Sequence, residues 1–104
     1  MEGNEVIILN LDRPRELRLT NRVLKRFCAA YNVGLNEMET VIQRYDMAAA
    51  LVYEMLHRED PNLTPEQCDD LLDECPISDI IEACAKAVAA GFDNGKDKNT
   101  NPPQ

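Results

Sequence analysis

Four cysteines, one histidine and nineteen carboxylates are the side chains through which this chain could do chemistry. The cysteines stand at 28, 68, 75 and 84, with no Cys-x-x-Cys pair and no second histidine to complete a zinc set. Each falls on the apolar stripe of its own expected helix, where a free thiol behaves as a small buried hydrophobe. Core packing explains all four without further assumption; the alternatives are a disulfide, Cys75 with Cys84 or Cys68, and a zinc site. His57 lies at an expected helix end beside Arg58, Glu59 and Asp60, where a cationic imidazole suits the helix dipole. General acid–base work needs a nucleophile or a second positioned group, and neither stands nearby. The acids at 66–74 lack the alternating ligands and central glycine of a calcium loop. Asp93-Asn94-Gly95-Lys96-Asp97 has a turn-like Asn-Gly, but no bidentate Glu follows at the required distance. The sequence also lacks a Gly-rich phosphate loop and a Gly-x-Ser-x-Gly elbow. The expectation is a chain that is no enzyme and holds no metal or cofactor.

The elements that must position these residues follow from pattern. A chain of 104 residues supports one modest core, and 44% hydrophobic residues is an ordinary globular composition. No apolar run approaches the roughly 18–20 residues of a membrane span. The opening MEGNEVIILNLDRP has neither a basic n-region nor a long apolar h-region, so a cytoplasmic protein is expected. EVIILN (5–10) is β-branched and apolar, and ELRLT (16–20) alternates around Leu17 and Leu19. Leu11-Asp12-Arg13-Pro14 turns between them. These segments predict a β-hairpin over 5–20, which is marginal alone and must lie on helices.

Thr20 or Asn21 can cap a helix over about 21–32, with Val23, Leu24, Phe27, Cys28 and Tyr31 as its stripe. Gly34 is the expected positive-φ residue after its end. Asn36 is expected to cap 37–44, through Met38, Val41 and Ile42. Asp46 is expected to cap 47–58, with Met47, Leu51, Val52, Met55 and Leu56 inward and Glu54–Arg58 as an outer i,i+4 pair. Thr64-Pro65-Glu66-Gln67 is the clearest start signal, combining an N-cap, a proline at N1 and a capping box. It opens 65–75 around Cys68, Leu71, Leu72 and Cys75. Pro76 breaks that helix, and Ser78 is the expected cap of a last one over 77–91, burying Ile77, Ile80, Ile81, Cys84, Val88 and Phe92. Gly91 and the polar run 93–104 indicate a frayed end and a disordered tail. The expected fold class is α+β, mostly α: an N-terminal β-hairpin packed on a bundle of four to five short helices, in a single domain over 1–92.

The net charge of −8 disfavours a general affinity for nucleic-acid phosphates. Charge is also segregated. Residues 11–26 hold six cations against two acids, a balance of +4, and residues 54–84 hold ten acids against one cation, a balance of −9. Two solvated faces of opposite sign, head-to-tail self-association, or a partner with its own charge pattern would each account for this. A helix–turn–helix needs a basic recognition helix, and the helices between Thr64 and Phe92 are acidic.

A hairpin ending in ELRLT, a helix with a Gly34-Leu35-Asn36 break, and then ALVYEMLHREDPNLTPEQCDDLLDE form a combination with a known likeness. It is similar to the small tail assembly chaperones of long-tailed phages and prophages. The matching residues are Leu51, Tyr53, Leu56, His57, Glu59, Asp60, Leu63, Thr64, Leu71 and Leu72. The Ala-rich close from Ile80 to Phe92 resembles the family's final helix. The likeness covers residues 5–92, and its motifs are structural. Arg22, Lys25 and Arg26 depart from it, since relatives often carry acids in the first helix. The resemblance implies a non-catalytic protein of the host cytoplasm, not retained in the mature virion. Such a protein binds the tape measure protein, keeps its long apolar helices soluble and recruits tail-tube subunits. A holdase of this kind needs apolar grooves, solubilising charge and no active site, and Met38, Met47 and Met55 offer adaptable contact surface. The groove is expected between the third and last helices, with Tyr53, Met55, Ile81 and Val88 as partner anchors. The alternative is a small acidic adaptor or regulatory protein that binds a basic or DNA-binding partner.

Overall fold

Alternation in the first strand sets the two faces of the N-terminal hairpin. A computed structural model of the chain describes residues 6–99, with side chains over 6–92. Strands β1 (Ile7–Asn10) and β2 (Pro14–Leu17) pair antiparallel, Ile7 opposite Leu17 and Asn10 opposite Pro14. Ile7, Leu9 and Leu17 point inward and are buried, while Ile8 and Glu16 face out. Arg15 shares the inward face and is only 7% exposed. The turn makes this burial tolerable. Asp12 accepts two hydrogen bonds from the Arg15 guanidinium, both 3.0 Å, and Asp60 lies 3.7 Å away at the far end of the third helix. The same hydrogen bonds hold the Asp12 carboxyl below its usual range.

Five helices follow: α1 (Asn21–Tyr31), α2 (Met38–Val41), α3 (Tyr45–Glu59), α4 (Pro65–Asp73) and α5 (Ile77–Asn99), with a 3-10 turn (Leu35–Glu37) leading into α2. The α+β, mostly α class read from the sequence is the observed one. α3 is the hub and touches α1, α4, α5 and β2, while α5 also lies against β1. In α3, Ala48, Leu51, Val52, Met55 and Leu56 share one core with Phe27 and Val23 from α1, Met38 and Ile42 around α2, and Ile80, Cys84 and Val88 from α5. Each large side chain buried this way contributes about 1.5–3 kcal/mol relative to exposure.

Two capping predictions hold. Thr20 Oγ1 accepts from the Val23 N–H at 3.2 Å. Thr64 Oγ1 accepts from the Gln67 N–H at 3.1 Å, while Gln67 Oε1 accepts from the Thr64 N–H at 3.0 Å. Others are corrected. The positive-φ residue after α1 is Asn32 (φ 56°), not Gly34, because the Val33 N–H reaches back to the Cys28 carbonyl and the reversal comes two residues earlier. Gly34 instead starts the 3-10 turn, its N–H donating to Glu37 Oε1 at 2.7 Å, so Asn36 is no cap. α3 begins at Tyr45, placing Asp46 in the first turn, where it pairs with Arg44 and accepts from the Met47 N–H. Ser78 lies inside α5, whose first turn is tied down by the Pro76 carbonyl. Glu54 pairs with Arg26 across to α1, and Arg58 pairs with Glu59, so the expected 54–58 pair is not made.

α5 runs past the expected end at residue 91. A Cβ on Gly91 would sit 3.1 Å from Leu19 Cβ and Cδ2 and 3.3 Å from its carbonyl oxygen. Glycine therefore lets the helix lie against the segment entering α1. Of the expected tail, residues 100–104 lie outside the described residues. No helix of the described residues is long and apolar enough to cross a membrane.

Candidate partner-binding surface

Burial keeps the thiols of Cys68, Cys75 and Cys84 protonated at neutral pH. All four are free thiols; Cys68, Cys75 and Cys84 are buried and Cys28 is half-buried. Loss of solvent disfavours the thiolate, pushing Cys84 up to about 12 and Cys68 up to about 11. The Cys84 thiol donates to the Ala48 carbonyl at 3.8 Å, tying α5 to α3. No three His, Cys, Asp or Glu side chains among the described residues gather as a metal set.

His57 is placed by the loop that α3 feeds. Its ring stacks on Tyr53 at 5.3 Å, and Nδ1 lies 3.2 Å from the Leu63 carbonyl. Because a carbonyl only accepts, the favoured tautomer carries its proton on Nδ1. The Tyr53 hydroxyl donates to the same carbonyl at 3.4 Å. The two side chains thus fasten the 60–63 loop to α3, one residue before the Thr64 cap. The pair holds a backbone oxygen, so its evident work is positional.

The four expected anchors separate. Met55 and Val88 are each 1% exposed and sit in the contact between α3 and α5. The groove expected there is filled by their own side chains, so neither offers surface in this conformation. Tyr53 and Ile81 are half-buried and packed against the core from outside. Ile77, expected inside, is 61% exposed, whereas Ile80 in the same first turn is fully buried, so that turn faces the core with Ile80 and solvent with Ile77.

Apolar surface is uncovered elsewhere. Val6 (59%) and Ile8 (46%) stand out from the hairpin, and Ile77 projects from the start of α5. Between β1 and α5 lies a cavity of about 390 Å³, lined by Val6 to Asn10 on one wall and by Pro76, Asp79, Glu82, Ala83 and Lys86 on the other. This groove was missed in the sequence, where EVIILN reads as an ordinary half-buried strand. The available signal was that its outward positions, Val6 and Ile8, are as apolar as its inward ones. Charge of opposite sign is exposed on two helices: Arg22, Lys25 and Arg26 along α1, and Glu66, Asp69, Asp70 and Asp73 along α4. Tyr45 is held above its usual range by burial first, then by nearby Asp73 and Asp69, so the acidic face reaches the start of α3.

Compared with protein-family models, curated proteins and solved structures, the chain matches none.

Proposed function

We propose that this chain is a non-catalytic binding protein and, following the resemblance over residues 5–92, a tail assembly chaperone of a long-tailed phage or prophage. In that role it holds the tape measure protein in the host cytoplasm, keeps its apolar helices from aggregating and brings tail-tube subunits to it. The observation that carries the reading is the set of exposed apolar side chains, Val6 and Ile8 on the hairpin and Ile77 at the start of α5, beside the open groove between β1 and α5 on a molecule of strongly negative charge. An apolar docking surface on an otherwise solvated body suits a holdase. Tyr53 and Ile81, half-buried, remain candidate anchors outside this groove, while Met55 and Val88 are buried in the core. The test is co-expression with the tape measure protein encoded beside it, followed by pulldown and measurement of how much tape measure stays soluble. Capture with increased solubility supports the proposal; no capture and no gain in solubility would overturn it.

The acidic α4 face favours a second reading, an adaptor for a basic or DNA-binding partner. Electrostatic capture of that kind weakens steeply with salt, whereas apolar holding does not. A salt series on the recovered complex separates the two.

A further inference from the structure

We infer that the free edge of β1 pairs antiparallel with β1 of a second copy of this chain, giving a closed two-fold dimer. The two edges of the hairpin are finished differently. β2 carries Pro14 and Glu16 and is flanked by Arg13 and Arg18, the proline and charges that blunt an edge against further pairing. Val6 to Asn10 hold no charge and no proline, and the register of the hairpin runs without a bulge. Among the described residues β1 has β2 as its single strand neighbour. Alternate backbone N–H and C=O groups of a strand point to its other side, and there β1 opens into the groove.

Both walls of that groove are self-complementary. Antiparallel pairing centred on Ile8 sets Ile8 against its own copy and Val6 opposite Asn10, with no charge opposed. The α5 wall carries Asp79 at one end and Lys86 at the other, with Glu82 and Ala83 between them, and Glu82 Oε2 lies 3.3 Å from Lys86 Nζ of its own chain. A two-fold axis turns this wall end for end, bringing Asp79 of one copy to Lys86 of the other, while the small Ala83 allows close approach. An isologous contact uses the same patch on both copies and stops at two. Joining the +4 and −9 segments head to tail would instead give a ring or a growing chain, not an isologous pair. The inference does not rest on the chaperone reading, because assembly is measured on the isolated chain and either can fail without the other.

Sedimentation equilibrium on the full chain over a concentration series tests it. The expected mass rises from 11.8 kDa to twice that value and stops. The dimer persists in about 1 M salt, where the Debye length of ~3 Å would remove a purely electrostatic head-to-tail contact. Ile8→Lys places like charges opposite each other and weakens the dimer at least about tenfold, with circular dichroism unchanged. Asp79→Lys and Lys86→Glu each weaken it alone, and together they restore it. This exposed charge exchange decides the matter should Ile8→Lys disturb folding. A constant monomer mass, growth past the dimer, an Ile8→Lys dimer of undiminished strength, or failure of the exchanged pair to restore assembly would each overturn the inference. So would an extended peptide of another protein occupying the β1 edge of a chain that stays monomeric.

Discussion

Replacing Gly91 by alanine sets two opposing effects against each other at one atom. Inside a helix the change favours folding by about 0.8–1.0 kcal/mol, since alanine loses less backbone freedom. Here the new methyl would lie 3.1 Å from Leu19 Cβ and Cδ2 and 3.3 Å from the Leu19 carbonyl oxygen. Carbon contacts are comfortable at about 3.5–4.0 Å, and forcing an extra methyl into a filled site costs about 1–3 kcal/mol. The Leu19 side chain is half-buried, so its Cδ2 can turn away, but its Cβ and carbonyl are fixed by the adjoining Thr20 cap. The crowding outweighs the propensity gain, and the expected net loss is about 1 kcal/mol, or about 4–8 °C in Tm for a domain of this size. Urea and thermal unfolding followed by circular dichroism measure it. A cycle with Leu19→Ala isolates the contact: the cost of the added methyl falls in that background, with a coupling of at least about 0.5 kcal/mol. A Gly91→Ala protein stabilised by the full propensity gain, with no coupling to Leu19, would refute the close approach of α5 to the α1 lead-in.

Asn32 holds a left-handed conformation, so Asn32→Ala should cost about 1–2 kcal/mol while Asn32→Gly is close to neutral, read from the same unfolding curves. The buried thiols predict an alkaline limit. Cys84 keeps its proton in the folded state up to about 12 but loses it near 9.0 once unfolded, so stability is fully present below pH 9 and falls as pH rises from there towards 12. Unfolding midpoints over that window check the slope, and Cys84→Ala should flatten it. Met55→Ala should cost about 2–5 kcal/mol as a core truncation. Ile77→Ser should change stability by no more than about 0.5 kcal/mol yet reduce tape measure capture in the pulldown.

Much of the fold was legible because its signals are local. The strand alternation, the five helical stripes and the Thr64–Gln67 cap each depend on residues within a few positions of one another. Helix starts at Asn36, Asp46 and Ser78 were misread because any short polar residue near a boundary can cap, and only the backbone path chooses among them. Asn32 and Gly34 were exchanged for the same reason: both tolerate positive φ, and the last helical hydrogen bond decides where it falls. The buried Arg15 was invisible, since its burial depends on Asp12 in the turn and on Asp60 far along the chain. The candidate surface was read least well. A periodic stripe says that Met55 and Val88 face inward, but not that α3 and α5 close directly on each other there. Nor does it show that β1 is left with an open side.

The hairpin lies against α5, which has a consequence for synthesis. About sixty residues separate the end of β2 from the start of α5. At about 5–20 residues per second, the hairpin waits about 3–12 s after it is made before its supporting helix exists. Over that interval Ile7, Leu9 and Leu17 lack the helix that covers them, while the α1–α3 segment can already collapse. The order of birth therefore places docking of β1 on α5 last, and a ribosome stalled before Ile77 would hold out an apolar hairpin with only α3 to rest on.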